Sequence, residues 1–98
     1  MSNTSISDQN AQEVLAADIL AELQRARTKF PGENVTMLAL MEEVGELAKA
    51  TFEESALRVR KEAIQVACMA MRVVLDGDAT LDEWRAKRGL DALGRHKP

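Results

Sequence analysis

The chain has little of what stabilises sheets and cross-links small proteins. Its 98 residues include no Tyr, two Phe, one Trp and one Cys. So few aromatic residues, among many Ala, Leu, Met and Glu, favour helices over sheet. The single cysteine, Cys68, excludes an internal disulfide and indicates a reducing compartment. Because it lies in an apolar stretch, we expect a buried structural thiol.

Long apolar runs and targeting signals are also missing. The longest apolar stretch, residues 63–75, contains Gln65 and Arg72 and is too short to span a bilayer. The N-terminus, MSNTSISDQN, has neither the basic nor the apolar region of a signal peptide. A net charge of -3 does not indicate a polyanion-binding surface. We expect a soluble cytoplasmic protein with neither a membrane nor a nucleic acid as partner.

Apolar periodicity and capping signals predict the first two helices. Asn10 with Glu13 resembles a capping box that opens a helix over 10–29, which Pro31-Gly32 ends. Asn34 is the predicted cap of a second helix reaching about residue 52. We expect this helix to face the core with six apolar residues: Met37, Leu40, Met41, Val44, Leu47 and Ala48.

The same signals predict two further helices. The third covers 56–75, although one unbroken helix over 34–75 is an alternative because Glu53-Glu54-Ser55 contains no Gly or Pro. Thr80 with Glu83 predicts a last helix over 80–93. The expected fold is a single all-α domain, an antiparallel bundle of about four helices, with residues 1–8 and 94–98 disordered.

The second helix places carboxylates beside its apolar face. On a helical wheel, Glu43 borders the core, Glu46 lies just outside it and Glu42 points to solvent. Like charges three residues apart repel one another on a helix. The arrangement therefore raises the question of what holds Glu43 and Glu46.

The third helix is apolar almost all round, apart from one polar stripe formed by Arg58, Glu62, Gln65 and Arg72. In an antiparallel hairpin turning near residue 54, Glu43 would face Gln65 and Glu46 would face Glu62. Clustered carboxylates repel unless a cation neutralises them, and oxygen ligands without His or Cys suit Mg²⁺, with Mn²⁺ as a substitute. The alternative is a solvated face with ordinary salt bridges from Lys49, Arg58 and Lys61.

These residues resemble the MazG-like group of the all-α nucleoside triphosphate pyrophosphatases. The match is Glu42-Glu43-x-x-Glu46, followed after residues 47–61 by Glu62-x-x-Gln65, within a similarity from about Lys29 to Leu75. The resemblance implies Mg²⁺-dependent hydrolysis of a nucleoside triphosphate to the monophosphate and pyrophosphate, serving nucleotide-pool house-cleaning. It implies Glu43, Glu46 and Glu62 as metal ligands.

The resemblance leaves two roles open. It implies Glu42 as a further ligand or a residue that orients water, and either Glu42 or Glu43 can be the catalytic base. Gln65 stands where the family has Asp, so its amide oxygen would be the fourth metal ligand and the cluster has one charge fewer. The alternative function is an impaired nucleotide- or metal-binding module, or a helical interaction module. A purely structural helical oligomer is a third possibility.

Substrate contacts are predicted at the end of the first helix and on the polar stripe of the third. Lys29 would meet phosphate and Phe30 would stack on a base, unless Phe30 is a core plug or a hydrophobic staple for the second helix. Arg58 and Arg72 would reach phosphates, or else pair with nearby glutamates. The nearly all-apolar third helix predicts a homodimer or homotetramer that completes the core.

Overall fold

Three long helices and a short C-terminal helical segment form the fold in this computed structural model, which describes residues 6–31 and 36–94. Helix α1 covers Ile6–Lys29, α2 covers Thr36–Glu53 and α3 covers Ala56–Asp76. A 3₁₀ turn, Ala79–Leu81, leads into α4, Asp82–Ala86. The predicted all-α class is confirmed, and the described residues contain no strand.

Helix α3 lies at the centre of the bundle and contacts both α1 and α2. Ion pairs and hydrogen bonds join Asp18 to Arg60, Glu22 to Gln65 and Arg27 to Asp76, in the same order along both helices. Helix α1 therefore runs parallel to α3, and α2 packs against α3 in the opposite direction. This central position accounts for the nearly continuous apolar surface of α3.

Helix α1 begins four residues before the predicted start. Asn10 and Glu13 lie inside it and do not form its cap, and residues 6–8 belong to the helix although disorder was predicted for them. The sequence contains no Gly or Pro between Ile6 and Asn10, so nothing stops the helix at the predicted cap. Residues 6–18 are all exposed, because this end of α1 extends past the start of α3.

Helix α2 ends at Glu53 and α3 begins at Ala56 after the cap residue Ser55, so the alternative of one unbroken helix is wrong. The Ser55 hydroxyl accepts a hydrogen bond from the Arg58 N–H at 3.2 Å, which is the expected N-cap interaction. Asn34, the predicted cap of α2, lies outside the described residues. The cap seen at α2 comes from a distant residue, since the Asp78 carboxylate accepts the Met37 N–H at 2.8 Å.

The last helix is shorter than predicted. It ends at Ala86 and not near residue 93, because Gly89 takes a left-handed conformation with φ 72° and its N–H bonds to the Ala86 carbonyl. The predicted Thr80–Glu83 capping box is not present either. Asp78 caps the preceding 3₁₀ turn through the Thr80 N–H at 3.0 Å.

The predicted core face of α2 is correct for only two of its six residues. Leu40 and Leu47 are partly buried and Ala50 is fully buried, but four of the six predicted core residues are exposed: Met37, Met41, Val44 and Ala48. The reason is that α2 has one neighbouring helix, α3, and a single neighbour covers only one side of a helix. Among the described residues the buried apolar core is small and consists of Leu23, Ala26, Ala50 and Cys68.

Candidate functional site

The predicted glutamates of α2 and α3 do come together. Glu43 is partly buried and Glu62 is buried, with only 8% of its surface exposed. The pKa of Glu43 is raised, first by burial and then by the charge and hydrogen-bonding proximity of Glu62, with further contributions from Glu46 and Glu42. Glu43 and Glu62 therefore meet across the α2–α3 interface, and the exposed Glu42 and Glu46 lie near Glu43 on α2 itself.

The partner of Glu43 differs from the predicted one. Equal height along the hairpin paired Glu43 with Gln65, whereas the structure pairs it with Glu62, one helical turn away. Glu62 and Gln65 are about 60° apart around α3, so they face different neighbours. The Gln65 side-chain amide donates to Glu22 of α1 at 2.9 Å, and its nitrogen is therefore turned away from the glutamate cluster.

Glu22 is the residue that sequence reasoning missed. Its carboxylate accepts two hydrogen bonds from Arg25, one of them from Nε at 2.9 Å, and one from Gln65. The Arg25 hydrogen bond, opposed by burial and helped by Gln65, lowers the pKa of Glu22 to about 2. A helical wheel of α1 places Glu22 among Leu15, Ile19 and Ala26, so its position on the apolar face was a signal present in the sequence.

Arg58 lies beside the glutamate cluster on the hairpin side. Its Nε donates to Glu54 at 3.1 Å and its Nη2 lies 3.5 Å from Glu62. The guanidinium is thus the cation nearest to the buried Glu62 carboxylate among the described ion pairs. This is the salt-bridge alternative from the sequence, realised for Glu62 and Glu54.

Arg72 lies far from this cluster, about 15 Å along α3 from Glu62, and is buried. Its Nε donates to Asp76 at 2.7 Å and its Nη2 donates to the carbonyl of Phe30. All of these groups belong to the protein, so Arg72 joins the end of α1 to α3. The phosphate contact predicted for Arg72 is not available in this conformation.

Lys29 and Phe30 lie at the same end of the bundle as Arg72. The Lys29 ammonium stands 5.4 Å from the centre of the Phe30 ring, and 58% of Phe30 is exposed. The alternative of Phe30 as a core plug is therefore wrong. A planar base could stack on the exposed ring, but the ring lies at the opposite end of the bundle from the turn between α2 and α3.

The donor atoms around the glutamates can be compared with the ligands that a divalent cation requires. All candidate donors are oxygens, which is the donor set that Mg²⁺ prefers. In the part of the chain that the structure describes, no three His, Cys, Asp or Glu side chains are grouped closely enough to hold a metal. Side-chain rotations of Glu42 and Glu46, which are both exposed, would be needed to complete a ligand set.

Comparisons with known proteins identify no family for this chain. No protein-family model, no curated protein and no solved structure matches the chain. In the described helices, none is both long enough and apolar enough to cross a membrane.

Proposed function

We propose that the protein is a Mg²⁺-dependent nucleoside triphosphate pyrophosphohydrolase, with Mn²⁺ able to substitute. The observation that supports this most is the approach of the buried Glu62 to the partly buried Glu43, where burial and then the charge of Glu62 raise the pKa of Glu43. Two repelling carboxylates at a helix interface, with Glu42 and Glu46 nearby on α2, do not stabilise the fold, so we ascribe them to the binding of a cation. The substrate class follows from the MazG-like motif.

Each side chain has a proposed role. Glu43, Glu46 and Glu62 supply oxygens for Mg²⁺, which when bound neutralises charge on the phosphate oxygens of a substrate. Glu43 has the raised pKa that suits a general base, while the exposed Glu42 is free to orient or deprotonate a water. Arg58 is the cation that would exchange Glu54 for a phosphate oxygen, because its side chain is 46% exposed.

Glu43→Gln is the first test. We expect pyrophosphate release from nucleoside triphosphates with Mg²⁺ to fall about tenfold or more, because a ligand or base is lost. The same change should raise the melting temperature at neutral pH, because it removes a carboxylate whose ionisation opposes folding. A raised folded-state pKa means that this destabilisation appears as the pH rises past the ordinary Glu value.

The matched control is Glu13→Gln, an exposed glutamate on the projecting end of α1. It should alter neither pyrophosphate release nor melting temperature. The measurements are a pyrophosphate assay over a panel of ordinary and modified triphosphates, and thermal unfolding followed by circular dichroism. A wild type without pyrophosphate release under any metal and substrate would refute the proposed activity.

A second candidate is supported by one observation, the hydrogen bond from Gln65 to Glu22. Because Gln65 is engaged with α1, only the three glutamate ligands remain for a metal, and a nucleotide- or metal-binding module without turnover fits the same residues. Nucleotide-induced thermal stabilisation without hydrolysis would identify it.

The double variant Glu22→Gln with Gln65→Asp tests whether the hydrogen bond between these two side chains stabilises the protein. Gln65→Asp alone would place a second carboxylate beside Glu22 and should lower stability, by about 1 kcal/mol or more. In the double variant, the new amide can donate to the new carboxylate, so stability should recover while α3 gains the family's acidic residue. Urea unfolding and pyrophosphate release, measured on both variants, separate the two effects. Equal stability of the single and double variants would contradict the pairing.

A further inference from the structure

Helix α2 has a second apolar face, which no other described element covers. It consists of Met37, Leu38, Met41, Val44, Ala48 and Phe52, and we call it the α2 seam. The exposed fractions reach 57% at Met41 and 86% at Phe52. The seam lies about 130° around the helix from the side that contacts α3. Its spacing of four and three residues from Met37 to Ala48 is the spacing by which one helix packs along another.

A glycine interrupts the same exposed face at its middle. Gly45 lies inside α2, where glycine costs about 0.5–1 kcal/mol relative to alanine. A Cβ added there would meet nothing within 4 Å, so no contact among the described residues requires the glycine. A second helix passing close to the α2 backbone at this point would require it.

The dimensions of the chain show how much surface lacks a partner. The Cα radius of gyration is 16.1 Å, against about 13 Å for a compact domain of this length. The accessible surface is 7167 Å², whereas a compact monomer of this mass exposes about 5,500 Å². The excess is larger than the roughly 800 Å² that each partner buries in a standard interface. It leaves room for a dimer interface as well as the projecting end of α1.

We propose that the α2 seam binds the same seam of a second copy, with the two α2 helices antiparallel and crossing at Val44–Gly45. The midpoint of the seam falls between these two residues, so a two-fold axis there brings it into register with itself. Met37 then lies opposite Phe52, and Met41 opposite the small Ala48. The glycine lies at the crossing, where the backbones are closest. No seam residue is charged, so the contact buries no unpaired ion.

This interface is independent of the proposed activity, because none of its residues is a candidate ligand or base. Sedimentation velocity over about 1–100 μM is the direct test. We expect wild-type dimers, and monomers for Met41→Lys, because burying a lysine ammonium in the seam is costly. The matched control is Leu20→Lys on α1. Leu20 and Met41 are both 57% exposed, yet the control should stay dimeric. A monomeric wild type over this concentration range would overturn the proposal.

Gly45→Ala provides a second test that does not depend on introducing charge. If the seam were solvent-facing, alanine would simply stabilise α2. If two backbones cross at Gly45, the added methyl groups collide, and we expect the dimer dissociation constant to rise about tenfold or more. Unchanged or tighter dimerisation in this variant would contradict a crossing at Gly45.

Engineered cysteines test the antiparallel register. Mixed Met37→Cys and Phe52→Cys chains should cross-link under oxidation, while Met37→Cys alone should not, because antiparallel copies hold the two 37 positions far apart. The native Cys68 is 1% exposed and will not compete. Self-cross-linking of Met37→Cys would overturn the antiparallel arrangement.

Discussion

Arg72→Met should lower the free energy of unfolding by about 3–5 kcal/mol, the usual cost of breaking a buried ion pair. Only 7% of Arg72 is exposed, and its guanidinium bonds to Asp76 and to the Phe30 carbonyl. Methionine keeps much of the volume but leaves the Phe30 carbonyl without this donor. Asp76 would retain Arg27, whose Nε lies 2.9 Å from it, as its remaining ion-pair partner among the described groups.

The control for Arg72→Met is Arg58→Met, which removes an arginine of the same helix. Arg58 has a 46% exposed side chain, so its pairs with Glu54 and Glu62 are screened by solvent and should contribute below about 1 kcal/mol. Urea unfolding followed at 222 nm measures both variants. Equal losses would show that Arg72 does not hold α1 against α3. A preserved stability with weaker substrate binding would restore Arg72 as a phosphate contact.

Asp78→Ala should cost about 2–3 kcal/mol, because one carboxylate caps two elements. Asp78 is 2% exposed, and it accepts the Met37 N–H of α2, the Thr80 N–H of the 3₁₀ turn and the Thr80 hydroxyl. Removing it leaves partly buried N–H donors without this acceptor at both elements. Ser55→Ala, which removes one exposed cap bond at the start of α3, should cost only about 1 kcal/mol.

The pH dependence of unfolding gives this prediction a second readout. Burial raises the pKa of Asp78, but the hydrogen bonds from the Thr80 side chain and from the Met37 and Thr80 N–H groups outweigh burial and lower it overall. A lowered folded-state pKa means that the stabilisation is present above about pH 4, and is lost as the pH falls through the folded value. Asp78→Ala should therefore lose less stability than wild type on acidification. Parallel acid curves would contradict this role.

The structure also shows why the C-terminal segment has a fixed place. Gly77 and Gly94 both have φ 75°, and a Cβ on Gly94 would stand 2.5 Å from the Gly77 nitrogen. Real Cβ atoms do not come so close to backbone, so the two glycines allow direct contact between the end of α3 and the segment after α4. The same loop carries Asp78, which joins this contact to the start of α2.

The local pattern of the sequence was enough to predict the two central helices. Helical periodicity located α2 and α3 to within about two residues of their bounds. The polar stripe of α3 was assigned to a metal and to phosphates, whereas Arg72 is satisfied by Asp76 and the Phe30 carbonyl. Cys68 is buried as predicted, with its thiol donating to the Ile19 carbonyl. The helical positions and the apolar setting of Cys68 depend on residues within a few turns of each other, whereas its bond to Ile19 joins two helices.

The candidate site was predictable only in part. The wheel placed Glu43 at the border of the core and Glu42 in solvent, and both positions are confirmed. The predicted partner of Glu43 was Gln65, one helical turn from its actual neighbour Glu62. Gln65 was predicted to face α2, whereas it donates a hydrogen bond to Glu22 of α1. A wheel gives the direction of a side chain but not which helix lies there, so the partner of Gln65 could not follow from α3 alone.

The helical class, the positions of α2 and α3 and the place of Glu43 at the border of the core could all be predicted from the sequence. Those properties follow from local propensity and from a period of 3.6 residues, both of which act along the chain. The packing of the helices was needed to see that Asp78 caps α2, that Arg72 holds the end of α1 and that the α2 seam has no partner among the described residues. These outcomes join residues about 40 positions apart, and depend on how the helices are arranged in space.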